Sequence, residues 1–247
     1  FALLMDIGST ASLAFSPDAG SVALLDFGSE ANRTGALRVT KTDGGQPLTA
    51  LTLNDGYLLP QYNSQLRWLA DGSALMAAIP DEATDSTMPA EGFTIYRVRP
   101  GNPAESITPV NGTMPAWSSD GKMLADCAPA GSADQPMSLF IADRDGANAK
   151  LYTPSQNGTR LSWSPDATHF LYTSDNALYV GGPGLQPQAI GSASTIIDPQ
   201  WVAGDQFLSL LGQTDGWALV SRNTNGETAT LANLPLDSSY TVAPPTR

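Results

Sequence analysis

The sequence has one cysteine and one histidine in 247 residues. Cys127 alone cannot close an internal disulfide or furnish a cysteine-rich zinc site. His169 alone leaves no multi-histidine metal centre. Without a Gly-x-Ser-x-Gly elbow, it also leaves no Ser-His-Asp arrangement. Basic residues are scarce: 12 Lys+Arg stand against 24 Asp+Glu, a formal net charge of -12. That deficit argues against nucleic-acid phosphates or an anionic membrane surface as partners. Charged residues of both signs make up 15% of the chain, against about 25% in an average soluble domain. No apolar run is long enough to cross a bilayer as a helix. No useful window carries a 3.6-residue apolar pattern, because Pro and Gly interrupt each candidate. Gly181-Gly182-Pro183-Gly184 reads as a turn rather than a phosphate cradle, since no Lys-Ser/Thr follows it. No cofactor is implied, and carboxylate chemistry and binding stay open.

What the chain does have is turns, with 23 Gly and 19 Pro, and a repeat. Five segments share one grammar: Leu13-Ala14-Phe15-Ser16-Pro17-Asp18, Leu66-Arg67-Trp68-Leu69-Ala70-Asp71-Gly72, Pro115-Ala116-Trp117-Ser118-Ser119-Asp120-Gly121, Leu161-Ser162-Trp163-Ser164-Pro165-Asp166 and Pro199-Gln200-Trp201-Val202-Ala203-Gly204-Asp205. Their aromatic residues recur 38 to 53 residues apart, the size of a four-stranded propeller blade. After each aromatic-turn unit comes a short apolar strand, such as Ser21–Leu25 or His169–Thr173. An alternating third strand follows, such as Phe93–Val98 or Trp217–Ser221. Then come a Gly-containing turn and a short outer strand.

The chemistry of the unit is direct. Asp-Gly suits a tight hairpin, because Gly tolerates positive φ and Asp accepts nearby backbone N–H groups. Pro ahead of Asp presets φ at the turn entry. The Phe or Trp is large enough to fill the wedge between neighbouring sheets. Phe15, Trp68, Trp117, Trp163 and Trp201 are therefore expected at equivalent buried positions.

The unit Trp-Ser-Pro-Asp-Gly, with its apolar second strand and later Leu-Thr outer strand, resembles the TolB-type (WD40-like) propeller repeat. Phe15–Asp18, Trp117–Gly121 and Trp163–Asp166 carry the match. The resemblance implies an all-β propeller of four-stranded antiparallel blades, with blades near 12–56, 57–112, 113–158, 159–194 and 195–236. A sixth is implied if one is degenerate or missing. The whole of 1–247 reads as a single propeller domain, with 1–7 and 237–247 as closing strands or domain edges. Three departures stand out: Phe15 replaces Trp, Ala167 replaces Gly, and Gly204-Asp205 reverses the turn. Propellers of this type serve as periplasmic scaffolds, peptidase accessory domains, lipoprotein parts and sugar-active enzymes.

The recurrent Asp18, Asp71, Asp120, Asp166 and Asp205 read as turn residues that bond their own loops, because catalysis needs asymmetry and these are symmetric. Asp143-Arg144-Asp145-Gly146 lacks the calcium-loop order and reads as a third-to-fourth-strand turn. His169 reads as a strand residue and Cys127 as a small buried one. Two insertions break the regular repeat after the second strand of their blades, Pro80–Gly92 and Ala128–Pro136. Asp81, Glu82, Asp85, Glu91 and Asp134 in them are the candidate partner-binding residues, since function gathers on loops that decorate a rigid scaffold.

Three functions compete. The first is a non-catalytic extracytoplasmic interaction or assembly scaffold, whose partner is a protein or another domain of its own assembly. The alternatives are a glycan-binding propeller using Trp faces and a glycosidase or lyase using two carboxylates. The extracytoplasmic, bacterial reading rests on a surface with only Lys41, Lys122 and Lys150 as lysines and a wealth of small polar residues. The start at Phe1 and the Pro244-Pro245 tail read as the edges of a processed chain or excised domain.

Overall fold

The computed structural model describes residues 11–28, 34–54, 64–81, 92–130, 137–154, 161–192 and 196–235. Every regular element among them is a β-strand. The strands form five four-stranded sheets, each an antiparallel meander in chain order, and together they are the blades of a β-propeller. The first holds β1 (Ala11–Phe15), β2 (Ser21–Asp26), β3 (Gly35–Lys41) and β4 (Leu48–Leu53). The second holds β5 (Gln65–Trp68), β6 (Leu75–Pro80), β7 (Phe93–Val98) and β8 (Glu105–Val110). The third holds β9 (Thr113–Trp117), β10 (Met123–Pro129), β11 (Met137–Asp143) and β12 (Lys150–Pro154). The fourth holds β13 (Ser162–Trp163), β14 (Phe170–Ser174), β15 (Ala177–Gly181) and β16 (Gln188–Ser192). The fifth holds β17 (Ile196–Trp201), β18 (Gln206–Gln213), β19 (Gly216–Asn223) and β20 (Thr228–Leu234). The expected segments 1–7 and 237–247 lie outside the described residues.

The chain divides into two compact units, Phe1–Trp117 with Ala142–Ala149, and Ser118–Ile141 with Lys150–Arg247. In the first four blades the second strand is the most buried. Ser21–Leu25, Leu75–Pro80 and Leu124–Ala128 are continuous buried runs. A strand covered on both faces has no solvent side, so it need not alternate. The fourth strands are the opposite: none of the side chains of β8, β16 or β20 is buried. Between the third and fourth strands every blade shifts register at the same place: Leu37/Arg38, Ile95/Tyr96, Leu139/Phe140, Leu178/Tyr179 and Leu219/Val220. Such a bulge sharpens the local twist and turns the outer strand relative to the inner ones.

Four of the five repeat aromatics are buried, Trp68, Trp117, Trp163 and Trp201 at 4 to 8% exposure. In the first unit the Trp68 indole N–H donates to the Ala14 carbonyl of β1 at 3.0 Å. In the second, the Trp201 indole donates to the Ser162 carbonyl of β13 at 2.8 Å. Each indole thus reaches the first strand of the preceding blade. Phe15 does not follow: it is 61% exposed, and Leu13 on the same face is 56% exposed. The expectation that all five aromatics share one environment is corrected here. Burial at this position comes from the preceding blade, and among the described residues of its unit β1 has no strand before it. Phe also lacks the N–H that ties Trp68 and Trp201 to a neighbour.

Candidate functional site

The recurrent turn carboxylates are engaged within their own turns. Asp18 accepts the Ser16 hydroxyl at 2.6 Å and the Gly20 N–H at 2.9 Å. Asp71 accepts the Ser73 hydroxyl at 2.7 Å and its N–H at 3.0 Å. Asp120 accepts the Ser118 hydroxyl at 2.7 Å and pairs with Lys122 Nζ at 3.0 Å. Asp166 accepts the Ser164 hydroxyl at 2.7 Å and the Thr168 hydroxyl at 2.8 Å. The serine hydroxyls beside Asp18 and Asp71 hold those carboxyls below their usual range. At Asp120 and Asp166 partial burial pushes upward, but the hydroxyl and N–H donors outweigh it, so both also fall below that range. A carboxylate so stabilised as an anion is a poor general acid.

Asp205 breaks the series. Its turn closes through Val202 N–H and Ala203 N–H on the Gln206 carbonyl, and its own backbone carbonyl accepts the Thr224 N–H at 2.9 Å. The reversed Gly204-Asp205 order has a packing cause. A Cβ on Gly204 would stand 2.0 Å from Asp166 Oδ2, so a side chain here would have to displace the carboxylate of the neighbouring turn.

The other singled-out residues settle into structural surroundings. Asp143 to Ala147 is the third-to-fourth-strand turn that was expected, closed by Gly146 N–H on the Asp143 carbonyl at 2.8 Å. Gly181 ends β15, and the Leu185 N–H donates to the Gly182 carbonyl across the turn that follows. Cys127 is buried on β10. His169 sits one residue before β14, with its ring Nδ1 2.8 Å from the Thr168 hydroxyl and its backbone N–H on Ser164 Oγ. Among the described residues, no group of three or more His, Cys, Asp or Glu is placed to hold a metal ion.

Asp81 seals the base of the first insertion. Its N–H donates to the Gly92 carbonyl at 3.0 Å, and its carboxylate accepts the Thr94 hydroxyl at 2.8 Å. Glu82, Asp85, Glu91 and Asp134 lie outside the described residues. Asp126 on β10 was missed in the sequence. It is 4% exposed, and desolvation pushes its carboxyl up to about 7. Leu24, Ala77, Tyr172 and Ser209 hold the corresponding place in the other blades, as the strand pairings show. The signal was available: it is an acid inside an apolar second strand.

Two surface grooves occupy corresponding sites in the two units, each bordered by the third-to-fourth-strand turn of the following blade. In the first unit Leu69, Met76, Arg97, Ile107, Arg144 and Asp145 line a groove of about 470 Å³. In the second, His169, Val180, Gln188, Thr224 and Asn225 are among the residues lining one of about 220 Å³.

No family model matches the chain, and neither does the sequence of any curated protein. Solved structures do match. TolB from Acinetobacter baumannii is 20% identical with a TM-score of 0.51, over 93% of this chain and 54% of its own. A protein assigned as TolB from Agrobacterium tumefaciens is 16% identical with a TM-score of 0.57, over 91% of this chain and 81% of its own. The β-propeller domain of the Trilobed protease from Pyrococcus furiosus is 12% identical with a TM-score of 0.57, over 90% of this chain and 71% of its own. The chain thus spans about half the length of the Acinetobacter protein, and at these identities the likeness is one of fold. The five bulged meanders, four of them with a buried Trp at the repeat position, are a TolB-like β-propeller.

Proposed function

We propose that this chain is a non-catalytic, extracytoplasmic interaction domain that docks a protein, or another part of its own assembly, onto a rigid propeller. The observation that carries the reading is the use made of the recurrent carboxylates. Asp18, Asp71, Asp120 and Asp166 each stabilise their own turn, so the chain's most regular acidic feature builds scaffold. The buried Trp68 and Trp201 indoles, each hydrogen-bonded to backbone, weigh against Trp faces as a glycan platform. The location outside the cytoplasm is supported by the lysine-poor polar composition and the TolB-like fold.

The candidate contact is the pair of insertions that interrupt the second-to-third-strand connections, Pro80–Gly92 with Asp81, Glu82, Asp85 and Glu91, and Ala128–Pro136 with Asp134. Their acidity calls for a basic or polar partner surface and salt-sensitive binding. The test shortens each insertion to a tight turn and measures thermal unfolding and partner capture separately. Unchanged unfolding with lost capture is expected. Turnover of a glycan or peptide by the purified chain would overturn the reading.

A further inference from the structure

The two grooves are the same site in different chemical dress. Met76 pairs with Arg97, and Leu171 pairs with Val180, so Arg97 and Val180 are counterparts. The turns match as well. Asp143 N–H reaches the Ala147 carbonyl and Gly146 N–H the Asp143 carbonyl, as Asn223 N–H reaches Glu227 and Gly226 N–H reaches Asn223. Arg144 therefore corresponds to Thr224, and Asp145 to Asn225. Where the second unit has Val, Thr and Asn, the first has Arg, Arg and Asp. Two arginines thus line one groove with the apolar Leu69, Met76 and Ile107, in a chain with 12 basic residues against 24 acidic ones.

The two arginines are not alike. Arg97 is held by Glu105 through Nε and Nη2 at 2.9 to 3.2 Å, which sets its position, although Arg99 Nη1 shares the same carboxylate at 3.0 Å. Arg144 makes no direct ion pair among the described residues, though it lies near enough to Asp71 to help hold that carboxylate as an anion, and its backbone is fixed: its carbonyl accepts the Trp117 indole N–H at 2.8 Å. Behind it, the next turn residue but one, Gly146, packs against Ile95, Thr108 and Val110, where a Cβ would stand 3.0 to 3.2 Å from their side chains. The result is one fork without a direct ion pair, on a pinned turn beside an apolar floor, in a groove whose volume of about 470 Å³ accommodates one or two side chains.

We propose that this groove docks an acidic segment of a partner protein, with a partner carboxylate on the Arg144 guanidinium and a neighbouring apolar side chain on Leu69 and Ile107. Carboxylate suits a single guanidinium fork. A phosphate dianion would meet the Asp145 carboxylate in the same groove. The strongly acidic chain repels such a segment over much of its surface, which favours a groove that presents a guanidinium without a direct ion pair. The inference rests on the interaction-domain reading and names a second kind of contact for it.

The experiment presents the full 247-residue chain to an array of capped hexapeptides, each with one Asp or Glu beside Leu, Ile, Met or Phe. Each is printed next to its Asn or Gln counterpart. The expected result is capture of acidic members over their amide counterparts, weakened by salt. Arg144→Gln should lower affinity about tenfold with unchanged thermal unfolding, the loss of one charge-assisted pair. Asp145→Asn should raise it about threefold by removing a like charge. Equal binding of amide counterparts, or equal binding by Arg144→Gln, overturns the proposal. So does displacement by inorganic phosphate at lower concentration than by acetate. Self-association abolished by Arg144→Gln, with a silent array, would make the occupant a second copy and overturn it too. Hydrolysis of captured peptides would leave the groove assignment standing and overturn the interaction-domain reading instead.

Discussion

Phe15 and Trp201 occupy the same place in the repeat, directly before the first turn and directly across from the start of the second strand. Phe15 pairs with Val22, and Trp201 with Phe207. One is 61% exposed and the other 8%. The difference lies in what stands beside the strand. Trp201 has β13, whose Ser162 carbonyl takes its indole N–H, and its ring meets Phe207 edge-on at 5.6 Å. Among the described residues of its unit Phe15 has no such neighbour. A repeat motif therefore marks an interface only when the preceding repeat is there to complete it. The aromatic residue is half of a contact whose other half is encoded some 40 residues earlier in the chain.

The largest test of this contrast is Trp201→Ala, which should cost about 3–5 kcal/mol in urea unfolding, as expected for emptying a buried aromatic site. Trp201→Phe should cost about 1 kcal/mol for the lost hydrogen bond beyond any packing change. Wild-type stability in Trp201→Ala would show that the indole is not structural.

Asp126 sharpens the contrast from inside the sheet, where burial acts on charge rather than on area. Its folded carboxyl stands at about 7, above the ordinary 3.8, so between those values the folded state holds a proton that the unfolded state has released. Stability should therefore be greatest below about pH 4 on this account, and fall by up to about 4 kcal/mol as pH rises through 7. Asp126→Asn should flatten that slope. A wild-type chain equally stable at pH 5 and pH 8 would contradict the assignment. The turn carboxylates act oppositely. Asp18, Asp71, Asp120 and Asp166 are held below their ordinary range, so their contribution is present above it and is lost as pH falls through their folded values.

Smaller effects should separate the engaged turns from the departed one. Asp166→Ala should lose about 1 kcal/mol with its hydroxyl and N–H donors, whereas Asp205→Ala should stay within about 0.5 kcal/mol. Equal losses would mean that the reversed turn uses its carboxylate after all. Smallest of all, Phe15→Ser should leave unfolding within about 0.5 kcal/mol of wild type. A loss as large as that of Trp201→Ala would show that β1 is covered after all.

The blades were legible because the repeat writes each element in local chemistry. Asp-Gly turns, an apolar second strand and an alternating third strand specify a meander within one stretch of chain. The second strands Ser21–Leu25 and Met123–Cys127 fall inside β2 and β10, and Phe93–Val98 coincides with β7. The environment of Phe15 was not legible, because it depends on a neighbouring blade. Nor was the close approach behind Gly204, which is set by the Asp166 carboxylate of another repeat. The candidate groove was hidden for the same reason. Arg97 and Arg144 are 47 positions apart in the sequence and meet only where one blade's turn borders the sheet before it. The composition pointed to acidic loops, whereas the groove uses the rarer charge.

The register shift that recurs between the third and fourth strands also bears on how these molecules behave in a crowd. Each blade ends in an edge strand whose backbone groups are open to an incoming β-strand, the usual seed of fibrous stacking. A bulge at the same step in all five blades interrupts the ladder leading to that edge. An arriving strand therefore finds a twisted, interrupted template. With a formal charge of -12 also holding copies apart, the bulged step before each outer strand acts as protection against aggregation.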